Sequence, residues 1–92
     1  MFYVYMLTNK NHSVLYTGFT DNLDRRVFEH KNQLVSGFTS KYNCNKLVYF
    51  EEFIEKDEAL HRERQLKRYK RSWKENLINE KNPEWEDLYG NY

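Results

Sequence analysis

Two short segments near the start of the chain, Phe2–Leu7 (FYVYML) and Val14–Phe19 (VLYTGF), are dense in aromatic and β-branched residues, and the six residues between them, TNKNHS, are polar. Aromatic and β-branched side chains suit a pleated, half-buried surface, and Asn, Ser and their neighbours supply turn chemistry. The chain therefore opens with a β-hairpin. A hairpin alone is marginal in water, so further strands and helices must cover it. Lys46–Ile54 (KLVYFEEFI) reads as a third strand. The order of elements is then strand, strand, helix, strand, helix, helix. It predicts an α/β (α+β) fold: a small three-stranded, largely antiparallel sheet flanked by helices.

The first helix is expected to start at Asp21 as N-cap, with Asp24 adding negative charge in its first turn. Leu23, Val27 and Leu34 form its apolar stripe with Phe28 beside it, and Ser36-Gly37 ends it. Phe38–Asn45 is a connecting loop or a short helical turn. A second helix runs from Lys56 or Asp57 to about Lys70. Ser72-Trp73-Lys74-Glu75 has the form of a capping box, so a third helix is expected there, running to about Glu80. Asn82-Pro83 stops it, and Trp85 and Leu88 are expected to pack back on the body, as is Trp73.

A chain of 92 residues suits one domain, spanning 1–92, whose core must be rich in large side chains. The 8 Tyr, 6 Phe and 2 Trp meet that need, although tyrosine also populates binding surfaces. Cys44 is the lone cysteine, which excludes an intramolecular disulfide and a cysteine-rich zinc site. A reduced, cytoplasmic setting is expected, with no membrane span and no signal peptide. The net charge of +1 says little, but its distribution says more. Between Leu60 and Lys74, seven cations stand against Glu63, a local balance of +6. From Glu75 to Tyr92 the balance is −4, five acids against Lys81. The basic stretch is either a solvated helix face or a surface that meets phosphates.

Some polar residues fall where apolar ones are expected. With Leu23 as origin and about 100° per residue, Val27 lies near 40°, His30 near −20° and Arg26 near −60°, whereas Arg25 lies near 200°, on the wet side. Arg26 and His30 therefore border the buried stripe. On the next helix, Glu63 sits among Ala59, Leu60 and Leu66. A carboxylate there needs a cation or a metal ion, and Arg26 or a divalent ion is the simplest partner. A structural Glu–Arg pair is the alternative. Tyr5 and Tyr16 share one face of the sheet if the hairpin loop has an even length. Core or edge packing is the plain reading of such tyrosines.

Tyr3-Val4-Tyr5, Tyr16-Thr17-Gly18, Asp21 to Arg26 and Glu63 together resemble the GIY-YIG nuclease superfamily. The stretches Gly37 to Tyr42, Arg62 to Lys67 and Asn82 to Trp85 look like its small bacterial members, and the likeness covers nearly the whole chain. Tyr3 stands where the first motif has glycine, and Thr17 where the second usually has Ile or Val. The resemblance implies an endonuclease that hydrolyses DNA phosphodiester bonds, with Mg²⁺ or Mn²⁺ as cofactor and Tyr5, Tyr16, Arg26, His30 and Glu63 as site residues. In that reading Glu63 holds the metal, Arg26 the scissile phosphate, and Tyr5 activates water. His30 binds phosphate or moves a proton. Asn76 and Asn79 are both candidates for a late active-site asparagine. Arg64, Lys67, Arg68, Lys70 and Arg71 would track the DNA backbone, and Trp73 could stack on a base. DNA is the expected partner, in structure-specific repair or recombination, with a homodimer or a targeting protein supplying specificity. A nucleic-acid-binding module with weak or no cleavage is the second reading, and a protein-interaction adaptor the third.

Overall fold

A computed structural model describes all residues, Met1–Tyr92. The elements are β1 (Phe2–Thr8), β2 (Leu15–Thr20), α1 (Leu23–Lys31), α2 (Phe38–Lys41), β3 (Lys46–Phe53), α3 (Lys56–Lys67) and α4 (Arg71–Lys81). The three strands form one antiparallel sheet in the order β2-β1-β3, so the most apolar strand is central and bonded on both sides. This is the expected α+β fold, with the Phe38–Asn45 segment forming the short helix α2.

Alternation along β1 divides the interior into two cores. Val4 and Met6 point to one face, where Tyr49, Ala59, Leu66, Ile78 and Trp85 join them beneath α3 and α4. Tyr5 and Leu7 point to the other, with Leu23, Val27, Cys44 and Leu47 beneath α1. A register shift between Met6 and Leu7 pairs them with Tyr49 and Leu47, leaving Val48 as the extra residue in β3. An Arg62–Glu51 pair lies on the first face: the Arg62 Nε donates to Glu51 at 2.9 and 3.2 Å, and Tyr49 donates to the same carboxylate.

Several element ends differ from the sequence-based expectation. Strand pairing ends at Thr8 and Leu15, so Val14 belongs to the loop, held by its N–H to Asn9 Oδ1 at 3.1 Å. Asn22, not Asp21, caps α1, accepting from Arg25 N at 3.0 Å, while Asp21 pairs with the Arg25 side chain. The helix stops at Lys31, where the Asn32 amide donates to the Phe28 carbonyl and Gln33 turns left-handed at φ 54°. Leu34 consequently leaves the stripe and is 67% exposed. α3 ends at Lys67 rather than near Lys70. α4 starts at Arg71 with Lys70 as N-cap, and no side chain caps it. The capping box does not form because the helix begins at Arg71, which places Ser72 inside its first turn, and Glu75 pairs with Arg71 at 2.8 Å. Trp73 is 49% exposed, against the expectation of burial. It lies about 140° round the helix from Ile78, the buried residue of α4. Trp85 fills the core instead and donates to Asn79 Oδ1 at 2.7 Å.

Candidate active site

The register places Tyr5 opposite Gly18 and Tyr16 opposite Leu7, so both phenols stand on the α1 face as diagonal neighbours. The six-residue loop is even, which is what that facing requires. The Tyr5 ring lies over Gly18: a Cβ there would come within 2.5 Å of both Cζ and Oη of Tyr5. Only a residue without a side chain leaves this position to the ring. His30, on the last turn of α1, completes a triangle. Its ring centroid is 6.0 Å from that of Tyr5 and 5.9 Å from that of Tyr16, and the two tyrosine rings are 6.3 Å apart.

His30 is buried and bonded at both nitrogens. Nε2 is 3.2 Å from the Tyr5 hydroxyl and Nδ1 is 3.0 Å from Thr39 Oγ1. Burial, with the Arg26 charge nearby, holds its pKa below the ordinary histidine value. The imidazole is therefore neutral, with one nitrogen donating and the other accepting. Tyr5 is pushed the other way: burial first, then the Tyr16 charge, raise its phenol above the usual tyrosine range, against a lowering by Arg26, with Glu63 adding the smallest rise.

Arg26 and Arg25 differ as their helical positions require. Arg25 is exposed and pairs with Asp21 at 3.4 Å, whereas Arg26 is half-buried beside Tyr5 and pairs with Glu29 at 3.3 Å. Glu63 does not take Arg26 as its partner. Its side chain is 17% exposed, and its one ion pair is with Lys67, one turn on, at 3.3 Å. The buried Glu–Arg pair anticipated for this helix exists one residue earlier, as Arg62 on Glu51. α3 packs against β1 and β2, and the Glu63 carboxylate is the smallest of the influences on the Tyr5 phenol.

The basic residues split into two groups. With Glu63 as origin, Lys67 lies about 40° and Arg64 about 100° round α3, while Arg68 at about 140° faces outward. Arg64 and Arg68 are exposed, and the Lys70 ammonium lies 5.6 Å from the Trp73 ring. Arg71 is tied back, donating to the Ser13 carbonyl at 3.0 Å and to that of His12. Of the late asparagines, Asn79 is taken up by the Trp85 indole and Asn76 is exposed. Thr39 is the site neighbour that sequence reasoning missed. It sits nine residues past His30 across a loop, and no periodicity links the two.

The structure is thus a small α+β domain with an aromatic and cationic site at one edge of its sheet. The model of the GIY-YIG catalytic domain matches residues 1–76, and the chain belongs to that family of nuclease domains. It is 44% identical over 81 residues to a UPF0213 protein of Clostridium perfringens, covering 88% of this chain and 86% of that protein. It is 37% identical over 78 residues to a UPF0213 protein of Staphylococcus saprophyticus, covering 85% of this chain and 94% of that one. A solution NMR structure of a UPF0213 protein from Bacillus halodurans superposes with a TM-score of 0.59 at 34% identity, covering 96% of this chain and 94% of that one.

Proposed function

We propose that this protein is a metal-dependent endonuclease that hydrolyses DNA phosphodiester bonds, with Tyr5, Tyr16, Arg26, His30 and Glu63 as its site. The observation that carries the reading is the Tyr5–His30–Tyr16 triangle with Arg26 at its rim, on a chain of this family.

The donor set fits Mg²⁺ or Mn²⁺. Glu63 offers a partly accessible carboxylate whose single ion pair is to a flexible, half-exposed lysine. No three His, Cys, Asp or Glu side chains gather as a metal-binding group, and Mg²⁺ needs only one or two protein carboxylates beside its waters. Glu63 would hold the ion, which when bound supplies positive charge to the phosphate. Arg26 binds the scissile phosphate and answers the charge that develops on it. With hydrogen on Nδ1, bonded to Thr39 Oγ1, His30 presents Nε2 as acceptor to the Tyr5 hydroxyl. Tyr5 Oη then takes a proton from the attacking water as its own proton passes to Nε2. Burial keeps the phenol protonated, so in this role it acts as a relay rather than as a standing base. Tyr16 walls the site and orients the water.

Arg64, Lys67, Arg68 and Lys70 would follow the phosphate backbone without reading sequence. Specificity for structure, of the kind repair and recombination need, would then come from the DNA itself, from a second copy or from a targeting partner. A nucleic-acid-binding module on the same scaffold is the second reading, favoured by the burial that keeps Tyr5 protonated.

The test is nicking of supercoiled plasmid and branched DNA with Mg²⁺ or Mn²⁺, against EDTA and a Glu63→Ala variant. Metal-dependent cutting that the variant loses, at unchanged melting temperature, is the expected result. Binding that weakens with salt but never leads to cutting would select the module.

A further inference from the structure

An aromatic row runs out of the site from Tyr16. Phe38, at the start of α2, stacks on Tyr16 with centroids 6.1 Å apart and planes 28° apart. Tyr42, one turn on, meets Phe38 at 4.8 Å. Phe38 is 47% and Tyr42 40% exposed, and neither belongs to either core cluster. The Lys41 ammonium lies 5.3 Å from the Tyr42 ring. Beyond Tyr42 opens a cleft of about 440 Å³ lined also by Asn9, Lys10, Asn11 and Asn43. Row and cleft carry two lysines and no acid. Large rings that the core does not use, in line with one another and flanked by cations, are the makings of a base-stacking platform.

We propose that this row receives unpaired nucleotides of the strand being cut, with bases stacked on Phe38 and Tyr42 and phosphates met by Lys41 and Lys10. Bases inside a duplex are stacked on one another and leave these rings idle, so the substrate class is nucleic acid with a single-stranded segment at the scissile bond. The position of that bond rests on the nuclease reading above; the stacking does not. An acid-free, lysine-flanked row favours a polyanion over a protein surface.

The test is fluorescence anisotropy in EDTA with a labelled oligothymidylate and an abasic oligonucleotide of the same length. The wild type should bind the oligothymidylate about tenfold or more tighter, since stacking on one or two rings has that weight. Phe38→Ala/Tyr42→Ala should lose this preference while holding the abasic strand as before, and Lys41→Ala should weaken both. If the alanine pair unfolds, Phe38→Leu/Tyr42→Leu removes the stacking with less loss of packing. Equal binding of the two strands by the wild type, or a preference that survives the double substitution, overturns the proposal. So does a change in oligomeric state on light scattering with the base preference intact, which would assign the row to a protein contact. Base preference without cutting leaves the platform standing and defeats the nuclease reading; cutting without base preference does the reverse.

Discussion

Thr17 shows how one atom separates a working residue from a better one. Its side chain is buried on the α3 face, opposite Met6, and Oγ1 has no hydrogen-bond partner. A buried hydroxyl left unpaired costs about 1–3 kcal/mol, and valine has nearly the same shape. Thr17→Val should therefore stabilise the protein by about 1 kcal/mol, which for a domain of this size raises the melting temperature by roughly 4–8 °C. A thermal melt with no rise would mean that a partner reaches Oγ1 in solution. Gly18, the next residue, has the opposite constraint. An alanine Cβ would press on a Tyr5 ring that is itself almost wholly buried. Overpacking of this kind costs about 1–3 kcal/mol. Gly18→Ala should lower stability by that amount in a urea titration and displace Tyr5 from His30. Unchanged stability would show that the ring moves freely, contrary to a fixed Tyr5–His30 hydrogen bond.

At the scale of elements, each helix presents its residues to different environments according to its turn. Arg25 and Arg26 are adjacent in α1, yet the first is exposed and the second lies beside Tyr5. Arg26→Ala should reduce cleavage at least a hundredfold, whereas Arg25→Ala should cost less than fivefold, in a nicking time course under conditions where the wild type cuts; a lost phosphate contact of about 3 kcal/mol sets the scale. Equal losses would remove the helical-face argument. The rule that separates these two also sorts α3, where Arg62 serves the Glu51 pair in the fold and Arg64 faces out. Runs of basic residues on a helix thus mix structural and solvent-facing cations, and only the turn tells them apart.

For the whole molecule, burial of titratable groups couples stability to pH. His30 is faced by Arg26 and Glu29 of α1, Tyr5 of β1, Tyr16 of β2 and Thr39 of α2, and its pKa is lowered in the fold. His12, against Lys46, Arg71 and Trp85, is lowered as well. A lowered histidine binds fewer protons folded than unfolded once pH falls below about 6.5, so stability is full above that pH and declines beneath it. Glu51 and Asp87, held below the usual carboxylate range despite burial, add a second loss at lower pH, below about 4.5. The melting temperature should therefore fall between pH 7.5 and pH 5. His30→Gln should shrink that fall, and a variant with the wild-type pH slope would show that His30 is not the group responsible.

The aromatic and β-branched density of Phe2–Leu7 and Val14–Phe19, with a polar stretch between them, sufficed for the hairpin, and the shared face of Tyr5 and Tyr16 followed once the loop proved even. The helical period sufficed for Arg26 against Arg25, because these are local repeats that burial imposes on the order of residues. Element ends were less legible. Asp21 and Asn22 are both good caps, and the choice turned on which side chain reached Arg25 N. Ser72 and Glu75 suited a capping box, but α4 starts one residue before Ser72, with Lys70 at the cap. Tertiary structure alone decided that Thr39 meets His30, that Gly18 lies beneath Tyr5, and that Phe38 continues the row from Tyr16. Each of these joins residues from different elements or different turns. The order of residues states what each side chain can pair with, but which partner arrives first within reach depends on how the two cores close over the sheet.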